Sequence, residues 1–114
     1  MEKEDKIMEM KVNEQDWRLF KERLPLWQEN YMKRLNQEYI KLLSSEGDES
    51  EKFWRLERRI REDKMSSGVV VELTRSKMQL NLIALLKDKI IGWEDLEGFS
   101  EEFIEIIESW IKKF

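Results

Sequence analysis

An all-α fold, a compact bundle or irregular array of about four helices, is predicted by three observations on this 114-residue sequence. Apolar residues recur at steps of three and four over several segments, the spacing that keeps one stripe of a helix apolar. Residues that cap or interrupt helices separate these segments, and no pair of alternating runs predicts a β-hairpin. The length and the 40% apolar content suit one domain around one core.

The first helix follows a charged N-terminal segment. Residues 1–12 lack sustained periodicity, so we expect a frayed or disordered lead-in and a single helical domain over residues 13–114. Asn13 offers a side-chain oxygen that can cap a helix N-terminus. Glu14 and Asp16 then place negative charge in the first turn, where it favours the helix dipole. A helix is therefore predicted to begin at about residue 14.

That first helix is predicted to be long. Its apolar stripe runs from Trp17 to Leu42 without losing phase, although Pro25 lies inside it. A proline in a helix interior removes one backbone hydrogen bond, and such sites commonly bend the helix. The spacing therefore predicts one helix over residues 14–44, kinked at Pro25, rather than two unrelated helices.

Two further helices and one short turn have clear sequence signals. Ser50 is suited to cap a helix over residues 51–63, and Ser100 precedes an amphipathic helix that runs to the C-terminus. Between Gly92 and Gly98, residues 93–96 are predicted to form a single turn.

The segment around residues 69–73 is ambiguous between helix and strand. Three consecutive valines favour extended structure. Leu73, Leu80 and Ala84, however, continue a helical spacing into a run that is apolar around most of its circumference. We therefore expect a helix from about residue 69 to residue 86, at the centre of the fold.

The sequence excludes most catalytic chemistry. It contains neither histidine nor cysteine, which removes the side chain that titrates near neutrality, the thiolate nucleophile and the usual zinc ligands. The four glycines are scattered, so no phosphate-binding loop is present. We expect a protein that is not an enzyme, with no catalytic residue, cofactor, metal or identifiable small-molecule substrate.

Net charge and hydropathy constrain partners and location. The net charge of −4 gives no general attraction to nucleic acid or anionic lipid. No segment approaches the ~20 uncharged apolar residues that cross a bilayer, and the first residues do not resemble a signal peptide. We expect a cytoplasmic protein without a membrane partner.

The second predicted helix carries a basic cluster. Residues 51–64 hold six basic and four acidic side chains, and Arg55, Arg58 and Arg59 could contact phosphates while Trp54 stacks on a base. The alternative is a solvated face, because Glu57–Arg61 and Arg58–Glu62 have the spacing of ordinary helix ion pairs. A protein partner is the third interpretation.

Tryptophan and charge distribution favour a protein interface. Five tryptophans are many for one small core; we expect Trp17, Trp27 and Trp110 to be core residues and Trp54 and Trp93 to lie at an interface. Residues 94–108, the acidic segment, carry seven acidic groups and no basic one. This segment, which includes Asp95 and Glu97, could pair with the basic helix within one molecule, across a dimer or on different proteins.

Several short motifs resemble a family. The segments 53–60 (FWRLERRI) and 95–100 (DLEGFS), together with Asp63 and Gly68-Val69, are similar to short uncharacterised all-α proteins of Gram-positive bacteria. Such proteins are sometimes labelled multidrug transporters, a label that the absence of a membrane span contradicts. The resemblance implies a bacterial cytosolic protein and carries no active site with it.

These observations together predict a small non-catalytic cytosolic protein that acts by protein–protein contact, as a regulatory or adaptor module, with a homodimer as one form. The alternative is a nucleic-acid-associated regulator that uses the arginine-rich helix over residues 51–64. The candidate interaction surface comprises Trp54, Arg55, Arg58, Arg59, Trp93, Asp95 and Glu97.

Overall fold

The computed structural model describes residues 12–113, which form four α-helices and no strand. The helices are α1 (Glu14–Ser44), α2 (Glu49–Asp63), α3 (Met78–Lys87) and α4 (Glu101–Lys113), with short 3-10 helices at Arg75–Lys77 and Trp93–Leu96. The predicted all-α class, the number of helices and the single turn before the last helix are confirmed. The predicted lead-in lies outside the described residues except for Val12, which is buried in the core.

Helix α1 is one continuous element of 31 residues. It begins as predicted, because the Asp16 backbone N–H donates to Asn13 Oδ1 at 2.7 Å and so caps the first turn. It continues through Pro25, and at 1.5 Å per residue it is about 46 Å long. The single long helix is therefore confirmed, while the kink at Pro25 stays a prediction.

The hydrophobic core lies at one end of the molecule, which we call the head (residues 12–30 and 78–113). The N-terminal half of α1 packs there against α3, α4 and the segment between them. The fully buried apolar side chains are Phe20, Met78, Leu82, Leu85, Leu96, Phe103 and Ile107. Asp16, only 2% exposed, accepts hydrogen bonds from the backbone N–H and hydroxyl of Ser100, at 2.9 and 2.6 Å, and so joins the starts of α1 and α4.

The helix predicted from residue 69 is wrong over its first half. Residues 69–73 form neither helix nor strand, and α3 begins only at Met78. The β-branched valines lose side-chain freedom in a helix, and here side chains from elsewhere bind the backbone carbonyls of the segment. Gln28 donates to the Val69 carbonyl at 3.4 Å, and Asn81 donates to the Glu72 carbonyl at 2.9 Å.

The second half of α1 and α2 form an antiparallel pair, which we call the hairpin (residues 31–64). It extends away from the head, so the molecule is elongated, with principal dimensions of 57 × 28 × 22 Å. Helix α2 has no buried residue along its 15 positions. Within residues 12–113, no helix has the length and apolarity needed to cross a membrane.

Candidate protein-interaction surface

One side of the hairpin is apolar and exposed. Met32 and Leu43 of α1 and Phe53 and Ile60 of α2, which we call the apolar face, are 36%, 47%, 62% and 38% exposed. Met32 and Leu43 are 11 residues apart, and Phe53 and Ile60 are 7 apart. Both spacings are close to whole turns of 3.6 residues, so each pair lies on one side of its helix. Such a large exposed fraction at four apolar positions on one hairpin is typical of a surface that binds another molecule.

Two shallow grooves run along the apolar face, each with a volume of about 280 Å³. The first is confined to α2, and the second lies between α1 and α2. Ile60 and Lys64 line both, so the grooves are continuous. The first groove is lined by Phe53, Leu56, Glu57, Ile60, Arg61 and Lys64, and the second by Met32, Leu35, Asn36, Tyr39, Ile60, Asp63, Lys64 and Val69.

Trp54 extends the apolar face at its edge. Its side chain is 60% exposed, and its ring packs edge-on against Phe53, with centroids 5.1 Å apart and planes at 87°. The two rings hold each other in place, so they present a large apolar area with little rotamer entropy to lose on binding. The expectation that Trp54 is exposed rather than buried is confirmed.

Arg59, predicted to belong to the interaction surface, forms an ion pair that joins α2 to α1. Its guanidinium contacts Glu38 at 2.9 Å and Asp63 at 3.2 Å and lies 5.7 Å from the centre of the Tyr39 ring. The Tyr39 hydroxyl donates to Asp63 Oδ2 at 2.5 Å. Burial and the Asp63 carboxylate raise the pKa of Tyr39 to about 12, while the hydrogen bond to Glu38 raises the pKa of Arg59. Arg59 therefore has a structural role within the hairpin.

The other predicted arginines lie away from the apolar face. At about 100° per residue, Arg55 and Arg58 are roughly 160° and 140° around α2 from Phe53. Arg55 pairs with Glu51 at 3.5 Å, whereas Arg58 makes no ion pair within residues 12–113.

The predicted helix ion pairs are half confirmed. Arg61 Nε donates to Glu57 at 3.2 Å, as its spacing predicts. The predicted Arg58–Glu62 pair is not among the ion pairs of the described chain. Lys64 is likewise without an ion pair there, which leaves two exposed cations at the C-terminal end of α2.

The remaining predicted residues form a separate site on the head. Trp93 is 45% exposed, and Asp95 and Glu97 line a polar pocket beside Arg23. Asp95 has a structural role here, because its carboxylate accepts from the Gly92 N–H at 2.8 Å and its carbonyl accepts from Arg23 Nη1 at 2.8 Å.

The two parts of the predicted surface do not meet. Asp95 is held by Arg23 and Arg59 by Glu38, and these α1 positions are 15 residues apart (38 − 23), which is about 22 Å along the helix. No ion pair of the described chain joins the acidic segment to a basic side chain of α2. The predicted charge pairing is therefore not made within one molecule.

The four residues of the apolar face were not among the predicted interaction residues. The sequence places Phe53, Leu56 and Ile60 on one stripe of α2, and an apolar stripe normally packs into a core. The signal that could have identified the face is the charge of the rest of α2. Apart from Ser50 and Trp54, every residue outside the stripe is charged, which leaves that helix little apolar surface with which to join a core.

Comparison of the chain with protein-family models, with curated proteins and with solved structures finds no match. Among residues 12–113, no group of three or more acidic side chains could hold a metal ion. The resemblance to short Gram-positive proteins stays an expectation, and the geometry of the hairpin is the basis for the function proposed below.

Proposed function

We propose that the protein is a non-catalytic binding module that acts by protein–protein contact through the apolar face of the hairpin. The observation that carries this proposal is α2, a 15-residue amphipathic helix without a buried residue. Helices in water are stabilised mainly by packing an apolar stripe, so a helix that leaves its stripe exposed is suited to a partner that covers it. A regulatory or adaptor role in a bacterial cytoplasm is part of the same proposal.

The composition of the face supports protein over nucleic acid as the partner. Aromatic and aliphatic side chains at the centre with charged side chains at the rim are typical of protein interfaces. By contrast, the basic side chains of residues 51–64 are mostly engaged: Lys52, Arg55, Arg59 and Arg61 each pair with a carboxylate. Over Glu49–Asp63, five basic and five acidic residues give no net charge. The nucleic-acid alternative therefore has weaker support.

The test is affinity capture from an extract of the source cells, with the bound proteins, copies of the chain included, quantified by mass spectrometry. Phe53→Ser and Trp54→Ala remove apolar surface that is already exposed, so they leave the fold intact. We expect the recovery of specific partners to fall by about tenfold or more in both variants, as for hot-spot residues. Captured protein should also survive high salt, since apolar contacts are not screened.

The matched control for Phe53→Ser is Arg58→Ser, which changes an exposed side chain with no ion pair in the described chain, about 140° around α2 from Phe53. Its partner recovery should equal that of the wild-type chain. Equal recovery in all three variants would show that the apolar face is not the interface. A salt-labile complex rich in 260 nm absorbance, weakened by Arg58→Ser alone, would instead favour the nucleic-acid alternative.

A further inference from the structure

We infer that the occupant of the apolar face is a second copy of this chain, with the two α2 helices antiparallel about a two-fold axis. This inference rests on the proposed function and names its partner. It depends on three properties of the hairpin: the area of the apolar face, the neutral charge of α2 and the register in which α2 complements itself.

The exposed area is sufficient for a dimer. Phe53 and Trp54, at 62% and 60% exposure, each offer roughly 100–150 Å², because an aromatic side chain can bury about 150–250 Å². With Met32, Leu43 and Ile60, the apolar area is on the order of 450 Å² per copy. Homodimer interfaces are about 65% apolar, so two copies would bury roughly 1,400 Å², within the range of about 1,200–2,000 Å² for stable complexes.

The charge of α2 permits self-contact. A two-fold interface places the same surface on both sides, so a helix with a strong net charge would repel its copy. Helix α2 is neutral, and so is each of its halves: residues 49–55 hold two acidic and two basic side chains, and residues 57–63 hold three of each. Contact between two α2 helices therefore brings no net charge repulsion, and the individual side chains that face each other decide the direction.

One register satisfies both the apolar and the charged positions. If the two-fold axis passes between residues 56 and 57, Phe53 of one copy faces Ile60 of the other. An axis between residues 56 and 57 pairs each residue with the one whose number brings the sum to 113. Lys64 of one copy therefore faces Glu49 of the other. Lys64 has no ion pair in the described chain, and Glu49, whose side chain is 92% exposed, makes only a 3.4 Å contact with Lys52. Two intermolecular ion pairs would thus flank the apolar contact.

The heads of the two copies are far apart in this arrangement. The face is confined to the hairpin, and the antiparallel operation places the head of each copy at the opposite end of the assembly. The dimer interface would then be a four-helix arrangement of two hairpins.

The first experiment is sedimentation equilibrium of the purified full chain from about 1 to 300 μM. We expect a mass twice the 14.0 kDa of one chain at the upper concentrations. Lys64→Glu should raise the dissociation constant roughly tenfold or more, because two attractive pairs become two like-charge contacts. The double variant Glu49→Lys with Lys64→Glu should restore wild-type dissociation.

The second experiment determines the register and remains informative if a charge variant is poorly folded. The chain contains no cysteine, so a single introduced thiol reports on one position only. Glu57→Cys lies beside the proposed axis and should be linked into a covalent dimer by a short bis-maleimide. Arg58 is the next residue, but it lies about 140° around α2 from Phe53 and so points away from the axis; Arg58→Cys should remain a monomer under the same conditions.

The outcomes separate this inference from the proposed function. A monomer at every concentration, or a dimer in which Arg58→Cys crosslinks as well as Glu57→Cys, would overturn the two-fold arrangement. If the chain is monomeric but captures a different protein, and Phe53→Ser abolishes that capture, the proposed function stands without self-association. Restoration by the double charge variant, together with crosslinking at residue 57 alone, would support the antiparallel dimer.

Discussion

Removal of the Asp16 carboxylate should destabilise the head more than any other single substitution by alanine in the first turn of α1. Its two oxygens accept two hydrogen bonds from Ser100 at 2.9 and 2.6 Å, and the residue is 2% exposed. Hydrogen bonds to a charged group contribute about 1.5–3 kcal/mol each, and a buried donor left without a partner costs a further ~1–3 kcal/mol. Because relaxation and water recover part of this, we expect Asp16→Ala to lower the unfolding free energy by about 3 kcal/mol.

The assay is urea unfolding followed by tryptophan fluorescence and far-UV circular dichroism. For a chain of this size the loss corresponds to a fall in melting temperature of roughly 13 °C. Asp16→Asn keeps one oxygen acceptor at the same place, so it should lose only about 1–1.5 kcal/mol.

Glu14→Ala is the matched control, since Glu14 lies in the same first turn but is exposed and paired with Arg75 on the surface. It changes the interaction with the helix dipole equally, and it should lose no more than about 0.5 kcal/mol. If Asp16→Ala and Glu14→Ala lose the same free energy, the contact with Ser100 contributes nothing beyond the dipole. The argument from burial would then be refuted.

Three further predictions concern the hairpin and the loop that follows it. Arg59→Ala should loosen α2, giving faster amide hydrogen exchange in its peptides, whereas Arg58→Ala should leave exchange unchanged because that side chain has no ion pair in the described chain. Gly68→Ala should lower the unfolding free energy by about 1–3 kcal/mol, since its new Cβ would lie 2.3 Å from the half-buried ring of Tyr31. Gly92→Ala is the control: its Cβ meets only the carboxylate end of the flexible Glu94 side chain, so the loss of unfolding free energy should be smaller. The raised pKa of Tyr39, about 12 against 10, means that its contribution to stability is complete below pH 10 and is lost as the pH rises to 12. Absorbance at 295 nm should therefore show one tyrosine ionising near pH 12 that Tyr39→Phe lacks, and a wild-type titration complete by pH 11 would contradict this assignment.

Much of the fold could be predicted from the sequence because local signals and packing agree. Asn13 and Ser100 cap the helices that their positions predict, and the apolar phase through Pro25 correctly indicated a single α1. The valine segment was mispredicted because its periodicity continued that of α3. Helical phase cannot show that a side chain distant in sequence, such as Gln28, binds a backbone carbonyl there.

The interaction surface was only partly predictable, for a physical reason. Trp54 and Trp93, predicted to lie at an interface, are both exposed, and their contact with a partner stays a prediction. A sequence shows that a stripe is apolar but not whether the fold has enough partners to cover it. Arg59 illustrates the converse, because its contact with Glu38 joins residues 21 apart and depends on how the hairpin closes. The apolar face required the three-dimensional structure.

The lack of any buried residue in α2 divides the molecule into two levels of stability. Unfolding of the head exposes its hydrophobic core to water, which costs much free energy. Detachment of α2 from α1 breaks only a few surface contacts and the hydrogen bond from Tyr39 to Asp63. Occupancy of the apolar face would add apolar packing to a hairpin in which only Leu35 is buried, so ligation and ordering of α2 are thermodynamically coupled. Affinity could then be tuned by substitutions that alter only the helix propensity of α2, far from any contact with the bound molecule.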